Sequence, residues 1–199
     1  MRLSFNVSSP YIRRVSIMAA WLGISDKIEN VTCIPYTDQA FREKNPGGLV
    51  PSIELEDGSH IHDSLTIGYY FDQQYGDGSL MKAFTTGDIP RLILYSEIEA
   101  LQQALVKLRQ DVMRGADRPV DWYIERYRDT CLLVSASLNQ KISALESRDF
   151  VTASAIAALG MMEFRSPEIA WRKAAPELSA WFDQQESDAA IHASFPKDL

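Results

Sequence analysis

Asn45-Pro46-Gly47-Gly48-Leu49-Val50-Pro51-Ser52 places two demands on any fold this chain adopts. The Asn-Pro-Gly-Gly run breaks regular structure and must be a turn. Pro51 then stands at the head of Ser52 to Glu56, where Ile53 and Leu55 fall on one face of a strand. Proline has no N–H to give to a ladder, so it is tolerated at the first residue of a strand and poorly inside one. With a cis bond before Pro51, the Val50 N–H and C=O would point away from the sheet and stay free to pair with an extended ligand. This segment therefore predicts a small sheet with a backbone edge turned outward.

Strands and helices alternate around that loop. Leu3, Phe5 and Val7 alternate with polar residues, and Ser9-Pro10 reads as a helix cap followed by proline at the first helical position. Val15, Met18 and Leu22 share a face of the first helix, and Gly23 supplies its stop. A second strand is predicted near Val31 to Ile34, and Asp38 caps a short helix to about Lys44. Asp57-Gly58 signals a two-residue hairpin into a strand at His60 to His62, and Ser64 is read as the cap of a third helix. The pattern is a mixed sheet with helices on both faces.

From Asp88 onward the pattern is helical alone. Leu94, Ile98, Leu101, Leu105, Leu108 and Val112 form one apolar stripe. Ile124, Tyr127, Cys131, Val134 and Leu138 form a second, after a break at Arg118-Pro119, so the two helices are expected as antiparallel neighbours. Thr152 is read as opening an apolar helix through Met162, the buried centre of a bundle, and a further helix runs from about Pro176 to Gln185. The aperiodic stretch from Gly76 to Gly87 reads as a linker, which divides the chain into residues 1–78 and 86–199.

Composition excludes several classes. A net charge of −7 over 199 residues, with no basic cluster, argues against nucleic-acid binding. No apolar run approaches the ~20 residues that cross a bilayer, and Met1-Arg2-Leu3-Ser4-Phe5 opens as a strand and not as a signal peptide, so a cytoplasmic protein is expected. Cys33 and Cys131 have neither metal-ligand nor Cys-x-x-Cys spacing and are expected as buried, inert thiols. His60 and His62 share a strand face but lack a third ligand, so no metal is expected.

Four motifs in order carry a resemblance. Ser9-Pro10-Tyr11-Ile12-Arg13, the loop from Asn45 to Pro51, the pair Asp63-Ser64, and the tail from Met162-Glu163-Phe164-Arg165 through Trp171 and Trp181 resemble the soluble glutathione transferases of bacteria along essentially the whole chain. That resemblance implies a thioredoxin-like N-terminal domain, an all-helical C-terminal domain and a homodimer. It also implies glutathione as co-substrate and a small electrophile as the second substrate.

The chemistry of these residues agrees. A thiol reacts as its thiolate, and a hydroxyl at Ser9, with the free N–H groups of a helix start, favours that anion. Asp63 suits the ammonium of the γ-glutamyl group, and Ser64 suits its carboxylate. The Val50 backbone is expected against the cysteinyl part, with Leu49 and Pro51 also in the glutathione site, Tyr11 beside the electrophile, and Ser8 a rival donor to the sulfur. Leu49 departs from relatives that carry Lys or Arg there to meet the glycine carboxylate. The family's helix-capping box reads Thr152-Ala153-Ser154-Ala155 and lacks its acid. A glutathione transferase is the first reading. A non-catalytic glutathione-binding module and a glutathione-dependent isomerase are the alternatives.

Overall fold

The computed structural model describes residues 1–6, 8–35, 37–114 and 121–197. Val7 and the break at Arg118-Pro119 lie outside the described residues. The first half contains β1 (Arg2–Phe5), α1 (Pro10–Trp21), β2 (Glu29–Thr32), α2 (Gln39–Lys44), β3 (Ser52–Glu54), β4 (His60–His62) and α3 (Ser64–Tyr75). The strands form one four-stranded sheet in the order β2-β1-β3-β4. β1 runs parallel to β2, which requires α1 as a crossover, and antiparallel to β3, which is antiparallel to β4. Leu3 pairs with Ile53 across the sheet, and both are buried beneath the helices. This is the mixed sheet expected from the alternating pattern, in the thioredoxin-like arrangement that the resemblance implies.

Local chemistry sets the helix ends. Gly23 takes φ +65°, and the Ile24 N–H returns to the Ala19 carbonyl at 2.9 Å, so the left-handed residue that closes α1 is the expected glycine. Nothing lies within 4 Å of a Cβ built at Gly23, so its requirement is conformational and not spatial. β2 begins at Glu29, two residues before the prediction, and Ile34 is exposed. The hairpin also differs from expectation. Leu55 N–H bonds the Ser59 carbonyl at 2.9 Å, leaving Glu56-Asp57-Gly58 as a three-residue loop with Gly58 at φ +83°.

The second half is helical: α4 (Lys82–Thr86), α5 (Ile89–Arg114), α6 (Asp121–Asn139), α7 (Phe150–Arg165), α8 (Trp171–Ala174), α9 (Pro176–Glu186) and α10 (Ala189–His192). Every residue from Phe150 to Met162 is buried, as expected of the bundle's central helix. Its start lies upstream of the predicted Thr152. Asp149, and not Thr152, is the cap, accepting from the Thr152 N–H at 2.9 Å, while Ala155 leaves the box without its acid as read from the sequence. Asp149 also receives Arg91 through both carboxylate oxygens, at 2.7 and 2.6 Å, which ties the start of α7 to α5.

Two predictions about packing need correction. The stripe on α5 is buried through Leu108, but Val112 is 70% exposed. By helical angle Val112 sits at the centre of that stripe, so its exposure reflects a missing neighbour and not a rotated helix. The stretch from Gly76 to Gly87 is no bare linker: it contains α4 and buries Leu80, Met81 and Ala83.

α1 joins the two halves, packing on α3 and on α7. A Cβ at Gly160 of α7 would lie 1.6 Å from Nη1 of Arg13, so glycine there makes room for the Arg13 guanidinium where it lies. Buried Arg13 donates to the Ile156 carbonyl at 3.0 Å, pairs with Glu186 and lies 5.1 Å from the Phe195 ring. Burial lowers the pKa of Arg13, and Glu186 offsets that cost.

Candidate functional site

A cleft of about 410 Å³ opens between the two halves at the start of α1. Its N-terminal wall is made of Ser8, Ser9, Tyr11, Gly48, Leu49 and Val50, which brings together the predicted Ser9, Leu49, Val50 and Tyr11. Ser9 is the N-cap of α1, and its Oγ accepts from the Ile12 N–H at 3.4 Å. Ser8, the rival, donates its hydroxyl to Asn6 Oδ1 at 3.0 Å.

The loop ahead of β3 is held from below. Buried Asn45 donates Nδ2 to the Leu49 carbonyl at 2.7 Å, and the Gly48 N–H returns to the Asn45 carbonyl at 2.9 Å. The Leu49 side chain is 70% exposed, and the Val50-Pro51 bond is cis. Val50 precedes the ladder, whose last pair matches Ser4 with Ser52, and among the described residues no group pairs with its N–H or C=O.

Asp63 and Ser64 are not among the residues lining the cleft. They stand at the same end of the sheet as Pro51: the register matches Ser52 with His62, and the next position on each strand brings Pro51 opposite Asp63. Asp63, and not the predicted Ser64, caps α3, accepting from the Thr66 N–H at 2.8 Å. Asp63 is the only described non-glycine residue with positive φ, at 57°, a strained backbone of the kind found at ligand sites. Ser64 is 2% exposed, and its Oγ accepts from Arg14 at 2.9 and 2.6 Å. A hydroxyl so engaged sits beneath the helix start, and the start of α3 itself is what faces outward.

Sequence reasoning passed over Arg14. Its guanidinium also reaches Gln102 at 3.2 Å and Ser154 at 3.3 Å, pairs with Glu99, and lies near the rings of Tyr11 and Phe150. One cation thus links α1, α3, α5 and α7. Burial raises the pKa of Tyr11, Glu99 adds to the rise and Arg14 opposes it; Tyr95 is pushed up to about 12, chiefly by burial. Tyr11 therefore presents a neutral hydroxyl to the cleft at physiological pH.

The opposite wall comes from the helical half. Val106, Arg109, Gln110 and Met113 project from one face of α5, Met161 and Arg165 come from α7, and Lys197 arrives on the C-terminal tail. None of these was foreseen. The spacing of Val106, Arg109, Gln110 and Met113 along one helix face was the available signal, but it does not say what that face meets. Among the described residues no group of His, Cys, Asp and Glu is arranged to hold a metal, and no helix is long and apolar enough to cross a membrane.

A thioredoxin-like domain joined to a helical domain across a shared cleft is a known class of protein. Residues 8–74 match the family model described as glutathione S-transferase, N-terminal domain. A glutathione transferase family member from Pseudomonas fluorescens Pf-5 with bound glutathione has 27% identity and a TM-score of 0.87, covering 99% of each chain. A structure of a family member from that organism with bound S-(propanoic acid)-glutathione has 25% identity and a TM-score of 0.84, covering 100% of each chain. Gtt2 from Saccharomyces cerevisiae shares the fold at 20% identity and a TM-score of 0.83, over 98% of this chain and 100% of that one. No curated protein matches the chain. Residues 8–74 thus match the N-terminal domain of that family, and the chain shares the glutathione transferase fold along its whole length.

Proposed function

We propose that the protein binds glutathione along the N-terminal wall, holds its thiol as a thiolate at Ser9, and adds that sulfur to a small electrophile against the helical wall. The observation that carries this reading is the hydroxyl of Ser9. Its oxygen accepts from the Ile12 N–H, and among the described residues no acceptor takes its O–H, which leaves that donor for a sulfur at the start of α1. The O–H of Ser8 is already given to Asn6. The unpaired N–H groups of the helix start add to the field that favours the anion.

The rest of the wall suits the rest of the ligand. The backbone of Val50, between Leu49 and Pro51, is complementary to an extended cysteinyl residue. Asp63 meets the ammonium, while the N–H of Ser64, with Arg14 beneath it, meets the α-carboxylate. The neighbours crystallised with glutathione and a glutathione conjugate support that ligand class.

The test is kinetic. Ser9→Ala should lower kcat about ten- to a hundredfold with little change in glutathione affinity, since a hydrogen bond to a charged group is worth roughly 1.5–3 kcal/mol. Ser8→Ala should stay near the parent. An unmoved thiol pKa with unchanged turnover in Ser9→Ala overturns the serine mechanism, and glutathione binding without turnover on any electrophile identifies a binding module. We further propose a homodimer, supported by the exposed apolar side chains Ile89 and Ile93 on α5 and Leu133 on α6. Light scattering that returned the 22.4 kDa monomer mass at micromolar concentration would sink it.

A further inference from the structure

The helical wall of the cleft is basic in an acidic protein. The chain carries a net charge of −7, and its other buried or half-buried arginines are paired: Arg13 with Glu186, Arg14 with Glu99, Arg91 with Asp149, Arg172 with Glu163 and Asp183. In the cleft the balance reverses. Arg109, Arg165 and Lys197 all line it, and among the described residues that do so none is acidic. Arg165 is already engaged, over the Phe164 ring at 4.2 Å and in a further contact. Arg109 and Lys197 are different, for among the described residues no carboxylate pairs with either.

Arg109 is half-buried and shares its helix face with Val106 and Met113. A guanidinium partly withdrawn from water beside apolar side chains, without a counter-ion, is matched by a ligand that has an apolar body and a carboxylate. The tail that brings Lys197 is anchored to α1: Arg13 reaches Ser194 Oγ at 3.4 Å and lies over Phe195, so the second cation is held by the fold.

We propose that the electrophile is itself an anion, a small carboxylate-bearing compound whose carboxylate is received by Arg109 with Lys197 beside it, while its reactive carbon faces Ser9. This rests on the glutathione reading above and narrows its substrate class. The thiolate sulfur supplies the electron pair of the new S–C bond. In addition to an activated double bond, the resulting carbanion takes up the equivalent of the proton lost by the thiol; in displacement, the leaving group departs with its bonding pair.

Calorimetry separates this inference from its foundation. Glutathione is titrated first, then S-butylglutathione against S-(3-carboxypropyl)glutathione, and then the hexyl pair built the same way, so that each pair differs by one carboxylate. The acid of at least one pair should bind about tenfold tighter than its alkyl partner, an advantage that shrinks at high salt because the site is open to solvent. Arg109→Gln should abolish that preference without changing glutathione affinity, and Lys197→Gln should reduce it. Equal binding within both pairs overturns the inference and leaves the glutathione reading intact. So does an Arg109→Gln variant, folded by circular dichroism, that weakens glutathione and all the conjugates alike, since Arg109 would then serve glutathione itself. Failure of glutathione to bind overturns both. The salt dependence within each pair, read on the unaltered protein, tests the charge without any variant.

Discussion

The two walls of the cleft are built by different rules. On the N-terminal wall each group is set by its sequence neighbours: Ser9 caps its own helix and Asn45 closes the loop on Leu49, as beyond the cleft lining Asp63 caps α3. On the helical wall Arg109, Met161 and Lys197 come from three separate segments that meet only because α1 and α5 both pack on α7. The difference teaches a division of labour. In the function proposed above, thiol chemistry would rest on backbone geometry that short motifs encode, and choice of electrophile on side chains that tertiary packing assembles.

The strongest challenge to that division is at the seam. Gly160→Ala should force Arg13 out of its buried pair with Glu186 and destabilise the protein by about 3 kcal/mol, as breaking a buried ion pair does, read by chemical denaturation. It should loosen both walls together, and a loss confined to the helical half would show that the seam does not couple them. Asp149→Ala removes the cap of α7 and the partner of Arg91, costing about 2 kcal/mol. Glutathione affinity should not change, and if it did the walls would not be separable.

Asp63→Ala attacks the N-terminal half, at the start of α3 beside the cleft. Glutathione should bind about tenfold more weakly, the loss of one charge-assisted hydrogen bond, while the electrophile KM stays put in turnover assays. The smallest effect is at Cys131, fully buried in the helical half, whose pKa burial pushes up to about 12. The unfolded thiol ionises first, so this contribution is whole below the ordinary thiol pKa and is lost as pH rises toward about 12. Between about pH 8 and about pH 10 the parent should lose about 1 kcal/mol that Cys131→Ala does not, measured by urea denaturation. Cys131 should also resist maleimide in the native state.

Much of the first wall was legible before any coordinates. Ser-Pro at a helix start, Gly23 as a stop, and Asn-Pro-Gly-Gly before a Val-Pro strand each act over a few residues, and each appears where the pattern put it. The errors were also local. Asp63 and Asp149 cap helices that were assigned to Ser64 and Thr152, because two adjacent or nearby oxygen side chains compete for the same N–H groups and the sequence does not rank them.

Other matters required the fold. Arg13 and Arg14 are adjacent in the chain, yet one is pinned to Glu186 and Gly160 while the other joins Ser64 to Glu99. Consecutive residues on a helix point about 100° apart, and the partners each direction finds lie more than 30 residues away. The same holds for Arg109, which reads from sequence as an ordinary helix cation and becomes a cleft residue only when α7 and the tail are in place. The sequence by itself determined where the helices start, where the chain turns and which backbone is left free, because those follow from hydrogen bonds made within a few residues. Which side chains share the cleft, and with what charge, the tertiary structure alone decided, because that depends on how helices distant in the chain pack together.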